Sequence, residues 1–116
     1  MKLNSDNIFH VISLEDWDKV KEKDFYAPMS LTNEGFIHFS FEDQIPGVIE
    51  RFYNNQKNLL ILKIDRNKLK SKLKLESVPG FGDFPHLFGE LNLDAVVEIY
   101  ESKSFITNKI IGQLKK

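Results

Sequence analysis

The side chains in this chain best suited to proton transfer near neutral pH are its three histidines. They fall in three short segments, Phe9-His10-Val11-Ile12-Ser13, Gly35-Phe36-Ile37-His38-Phe39-Ser40 and Phe84-Pro85-His86-Leu87-Phe88-Gly89. Each imidazole is set among apolar or aromatic neighbours, where it could move a proton, ligate a metal or contact a phosphate. All three in such settings imply one site. By strand alternation His38, Phe36 and Ser40 share one face, so His38 and Ser40 are expected to converge on one ligand atom. Ser40 is also expected to open a helix, whose free N–H groups would make a phosphate or carboxylate cradle. The competing reading is that Ser40 only caps that helix and His38 bonds a backbone carbonyl.

His10 lies in an apolar run with Ile8 and Ile12 on its own face, where a lone histidine is more often a core residue than a catalyst. Its weight comes from His38, because strands of adjacent units commonly pair and would set the two imidazoles side by side. Pro85 restricts the loop expected to present His86, and Gly89 permits a close backbone approach. Among the acids, Glu76 ends an expected strand and Glu90 follows the His86 segment. Glu15, Asp16, Asp18, Glu22, Glu42 and Asp43 read as solvated helix faces. A tri-histidine zinc site is the weaker alternative, because no two histidines stand at the i, i+2 or i, i+4 spacing that helps fix a metal. No metal is expected.

A chain of 116 residues carrying these groups reads as a single domain spanning 1–116, with an ordinary apolar fraction of 41% and a formal charge of −1. That balance gives no basic face for nucleic acid. The absence of cysteine removes disulfides, thiolate catalysis and thiolate zinc sites. No apolar stretch approaches the ~20 residues that span a bilayer, and the first residues lack the apolar core of a signal peptide. A cytoplasmic protein is expected, with no membrane partner. Ten phenylalanines are many for this length, and several stand beside the histidines, where they would line a pocket.

The elements that must position these groups follow from pattern. Ile8 to Ile12 reads as a strand, and Ser13 with Asp16 starts a capping box for a helix carrying Leu14, Trp17 and Val20 to about Lys23. Tyr26 to Met29 is an extended connector, and Ser30 to Gly35 a helical turn closed by glycine. Phe36 to Phe39 is a second strand. Ile45, Val48, Ile49 and Phe52 give a second helix, to about Tyr53, its buried face. Leu59 to Ile64 and Leu73 to Glu76 read as strands, Ser77 to Phe84 as a long loop, and Ala95 to Tyr100 as a further strand. Phe105 to Leu114 is a last strand or helix. Helices early and strands late predict an α+β fold, not a doubly wound parallel sheet. There is no glycine-rich phosphate fingerprint.

The run Ser30-Leu31-x-x-Glu34-Gly35-Phe36-Ile37-His38-x-Ser40, with Gln44, Arg51-Phe52 and Phe84-Pro85-His86-Leu87-Phe88-Gly89, resembles the small bacterial domain of unknown function 952 family. His10 followed by Trp17, and Tyr26 before Ser30, also fit, so the resemblance runs from about Ile8 to Val97. The family looks like a relative of the ADP-ribosyltransferase-like fold. That implies a split β-sheet with two or three short helices and a cleft that clamps nicotinamide adenine dinucleotide (NAD) in other members. On this analogy His38, His86 and Glu76 would be catalytic, with Glu76 or Glu90 steadying positive charge. His10, Tyr26, Ser30, Ser40, Gln44, Phe84 and Phe88 would bind the ligand. The family usually has tyrosine where this chain has Phe88, and any hydroxyl role there is lost. Arg51 and Arg66 are the only arginines, which departs from the arginine-rich RNA 2′-phosphotransferases of the same fold.

Three readings result. The first is a transferase-like domain that binds or processes an anionic small molecule, a nucleotide or phosphorylated ribose. The residues themselves name no cofactor, and the resemblance admits NAD or a related nucleotide. The second is a non-catalytic module that binds a small metabolite in the same cleft. The third is the tri-histidine metal protein.

Overall fold

The structure, a computed structural model, describes residues 6–53 and 56–102. The first strand, β1 (Asn7–Ser13), buries both faces. Ile8 and Ile12 join a core with Phe39, Leu62, Leu87 and Leu91, while Phe9 and Val11 join a second core with Ile45, Leu59 and Ile61. This is why both faces of the strand are apolar around His10 and its residues do not alternate between apolar and polar. The expected capping box starts α1 (Leu14–Val20), with the Ser13 Oγ accepting the Asp16 N–H at 3.1 Å. After β2 (Phe25–Tyr26), Pro28 leads into α2 (Met29–Glu34). Gly35 ends α2 at φ 88°, the left-handed conformation a helix stop requires, and its N–H bonds the carbonyls of Ser30 and Leu31.

The chain then forms β3 (Ile37–His38), a short 3-10 turn (Glu42–Gln44), α3 (Ile45–Phe52) and β4 (Leu59–Asp65). The remaining strands are β5 (Lys72–Val78), β6 (Gly82–Phe88), β7 (Leu91–Asn92) and β8 (Val96–Glu101). They make three antiparallel sheets, ordered β1-β4-β8, β3-β6-β5 and β2-β7. Among the described residues the fold is therefore α+β, with the three short helices α1 to α3 and antiparallel sheets. No helix of the described residues is long and apolar enough to cross a membrane.

Pro85 explains how two of the sheets meet. It stands in β6, the central strand of its sheet, where proline is rarely found. Its carbonyl accepts the Phe39 N–H at 3.0 Å, but it has no N–H to return, and the β3–β6 ladder ends there. The chain passes to β1 instead. Ser40 and Phe9 exchange two backbone bonds, Phe9 N–H to Ser40 at 2.8 Å and Ser40 N–H to Phe9 at 2.7 Å.

Two expectations change here. The segment Ser77 to Phe84 is not a long loop: it is most of a hairpin, with Glu76 opposite Phe84 and Val78 opposite Gly82. His86 is thus carried on a strand. Ser40 also caps no helix. The following turn is entered through Phe41, whose N–H bonds the Gln44 Oε1 at 2.9 Å, and α3 starts only at Ile45. The Ser40 N–H, expected to be a free helix-end donor, is taken by the Phe9 carbonyl. The stretch Phe105 to Leu114 lies outside the described residues.

Candidate functional site

The meeting of the sheets leaves a cleft of about 740 Å³. From the expected site residues it gathers His10, Tyr26, Ser30, His38, Ser40, Phe84 and His86. Its walls also include Asp16, Met29, Phe39, Phe52, Tyr53 and Phe81. A shallower depression on the other side of His38 and His86 is lined by Glu34, Phe36 and Glu76.

His10 is buried, and its Nδ1 lies 2.7 Å from the His38 main-chain carbonyl. A carbonyl can only accept, so Nδ1 carries the proton. In the neutral ring the Nε2 lone pair then faces the Tyr26 hydroxyl at 3.4 Å. Burial pushes the His10 pKa down to about 4, partly opposed by the bond to the His38 carbonyl. This imidazole is neutral at pH 7. It can accept a hydrogen bond from a ligand or from Tyr26 and cannot serve as a cation for phosphate.

His38 and His86 are the adjacent pair, not His10 and His38. They stand opposite each other in the β3–β6 register, with ring centroids 5.3 Å apart. The buried His86 ring stacks on Phe36 at 4.1 Å, and its Nδ1 is 2.8 Å from the Glu76 Oε1. In its neutral form it donates Nδ1–H to the carboxylate, which fixes the tautomer and turns the Nε2 lone pair to the far side of the ring. His38 is half exposed, and its Nε2 donates to the Glu34 carboxylate at 3.1 and 3.3 Å. His38 and Ser40, placed on one face by alternation in the sequence, both line the cleft, whereas Phe36 of that face lines the shallower depression; Phe84 and His86 reach the cleft from β6.

Other expected residues lie elsewhere. Glu76 stands behind His86 and does not line the main cleft. Gln44 ties the turn after β3 to the β5–β6 hairpin, its Nε2 donating to the Asp83 carbonyl at 2.7 Å. Phe88 packs against Phe36 at 5.4 Å and under the Lys74 ammonium at 5.2 Å, away from the cleft. Among the described residues no lysine or arginine lines the cleft, and no three histidine or carboxylate groups gather as a metal site.

The mouth is aromatic. Phe52 at the end of α3 and Phe81 at the hairpin tip approach edge to face at 6.0 Å, and the Arg51 guanidinium lies 4.4 Å from the Phe81 ring centroid. Gly80 and Gly82, both at positive φ, let the hairpin turn tightly around Phe81. Asp16, Tyr53, Phe52 and Phe81 were not among the expected site residues. Asp16 reads in sequence as a helix-face charge. The available signals were the phenylalanine set between two glycines and the tyrosine that ends the apolar face of α3.

A family model described as "Protein of unknown function (DUF952)" matches residues 11–99. The chain is similar to solved structures of protein CC0527 from Caulobacter crescentus. The crystal structure is 28% identical with a TM-score of 0.72, covering 82% of this chain and 84% of that chain. A double-mutant crystal form of the same protein gives the same values. Its solution structure is 27% identical with a TM-score of 0.70, covering 84% of each. No curated protein matches the chain.

Proposed function

The chain belongs to the DUF952 family, and from that premise we propose that the cleft is a ligand site for a nucleotide-type small molecule, NAD or a phosphorylated ribose, on an ADP-ribosyltransferase-like split sheet. The observation that carries this reading is the His86–Glu76 pair at 2.8 Å, held at the seam between two sheets beside an aromatic cleft. A histidine whose tautomer is fixed by a carboxylate is poised as a general base through its other nitrogen. The aromatic walls suit a flat heterocycle. The neutral His10, Tyr26 and Ser30 suit ribose hydroxyls. With no lysine or arginine on the walls, phosphates would lie toward the open mouth.

In a transfer reaction the His86 Nε2 would take the proton of an acceptor hydroxyl as its oxygen bonds to the anomeric carbon. The bond to the leaving group breaks in the same step, the leaving group departs with its electron pair, and the proton held on His86 passes to solvent. The non-catalytic reading draws on a different observation. Glu76 and Glu34 are both committed to imidazoles, so neither is free to steady an oxocarbenium ion.

Thermal shift of the full chain with ADP-ribose and with NAD tests the proposal. A rise in melting temperature that His86→Asn removes supports it. No rise with either compound, at levels far above a plausible affinity, overturns it. Release of free nicotinamide from NAD separates the catalytic reading from the binding one.

A further inference from the structure

The cleft has an uneven charge balance that the histidines do not account for. Among the described residues on its walls, Asp16 is the one carboxylate, and there is no lysine or arginine. The histidines do not offset it. His10 is buried and neutral, while His38 and His86 each stand against a glutamate that would match any proton they gained. Asp16 is solvent-exposed, and its carboxylate makes no hydrogen bond or ion pair to the described residues; its backbone N–H donates to the Ser13 Oγ. The rings of Tyr26 and Tyr53 line the same cleft. Both phenols are pushed up in pKa, first by burial and then by the Asp16 charge.

From this juxtaposition we propose that the end of the cleft framed by Asp16, Tyr26 and Tyr53 binds a cationic group, an ammonium or positively charged nitrogen heterocycle carried on a flat apolar body. A carboxylate and aromatic rings on the walls of one cleft both attract cations, the first by charge and the second by the ring quadrupoles. The apolar walls, with Ile12, Met29, Phe39 and Phe84, hold the rest of such a ligand. The inference rests on the cleft being a ligand site, but not on that ligand being a nucleotide.

The test is a titration of the full chain, followed by ligand-observed NMR, with one ring carried at three charges: benzoate, benzyl alcohol and protonated benzylamine. The expected order of affinity is benzylamine over benzyl alcohol over benzoate, with the cation favoured over the neutral ring by about fivefold. Asp16→Asn should flatten that order. Glu15→Gln, a carboxylate one residue away that does not line the cleft, should leave it intact. The inference is overturned if the neutral or anionic ring binds as tightly as the cation, if the order survives Asp16→Asn, or if no ring binds. ADP-ribose is run in parallel. Stabilisation by ADP-ribose without the charge order removes this inference alone, and the charge order without stabilisation removes only the nucleotide reading.

Discussion

His10 holds the main chain of His38, donating its Nδ1–H to that residue's carbonyl at 2.7 Å. A side chain on β1 thereby ties down β3, and the first imidazole is spent on positioning the strand that carries the second. Because the ring is buried, its protonation is linked to folding.

The consequence is a stability that depends on pH in a defined window. The unfolded chain protonates His10 near its ordinary value of 6.5 and the folded chain near 4, so between them the unfolded state holds the extra proton. The His10 contribution is complete above about pH 6.5 and is lost as the pH falls toward 4, a difference of roughly 3 kcal/mol. Denaturant unfolding at pH 7.5, 6, 5 and 4 should show this loss. His10→Gln, which keeps a donor for the carbonyl, should lose less over the same range. Equal slopes in the two proteins would refute the assignment.

Glu76→Gln should leave the fold within about 1 kcal/mol of the parent, since the Glu76 side chain is 41% exposed. Its effect belongs to the His86 ring. With the carboxylate, NMR of the imidazole nitrogens should report one neutral tautomer, protonated at Nδ1. With the amide, which can donate or accept, it should report a mixture.

Asn92 is buried and is expected to be the most sensitive polar residue of the fold. Its Nδ2 donates to the Lys68 carbonyl at 2.8 Å and to Asp94 at 2.7 Å, and its Oδ1 accepts the Lys70 N–H at 3.0 Å. Asn92→Ala strands these partners and should cost roughly 2–4 kcal/mol, read as a lower denaturation midpoint at unchanged m-value.

Gly35→Ala meets no steric neighbour, so any cost comes from the backbone at φ 88°. About 1 kcal/mol is expected, and Gly35→Asn should cost less, because asparagine tolerates that conformation better. A larger loss would mean that β3 and its histidine shift as well.

The sequence was legible where one local rule governs. The Ser13 cap, the Gly35 stop and the alternation of Ile37, His38 and Phe39 all follow from near neighbours, and the structure has each of them. It was illegible where pairing across the chain decides. No local signal puts Glu76 within reach of His86, because that depends on hairpin register. The glycines and proline of 79–82 read as a loop, although only the tip of the hairpin turns. Gln44 and Phe88 carried motif resemblance, yet both hold the scaffold together beside the cleft.

The Phe9–Ser40 exchange fixes more than the meeting of two sheets. Side chains of an extended segment alternate, so this one reciprocal pair sets the phase of everything from Phe36 to Phe41 relative to β1. A slip of one residue would turn Ile37 and Phe39 out to water and drive His38 into the core. The polarity of the cleft wall is in that sense stored in two main-chain bonds, and no side-chain substitution on the wall can rewrite it while they hold.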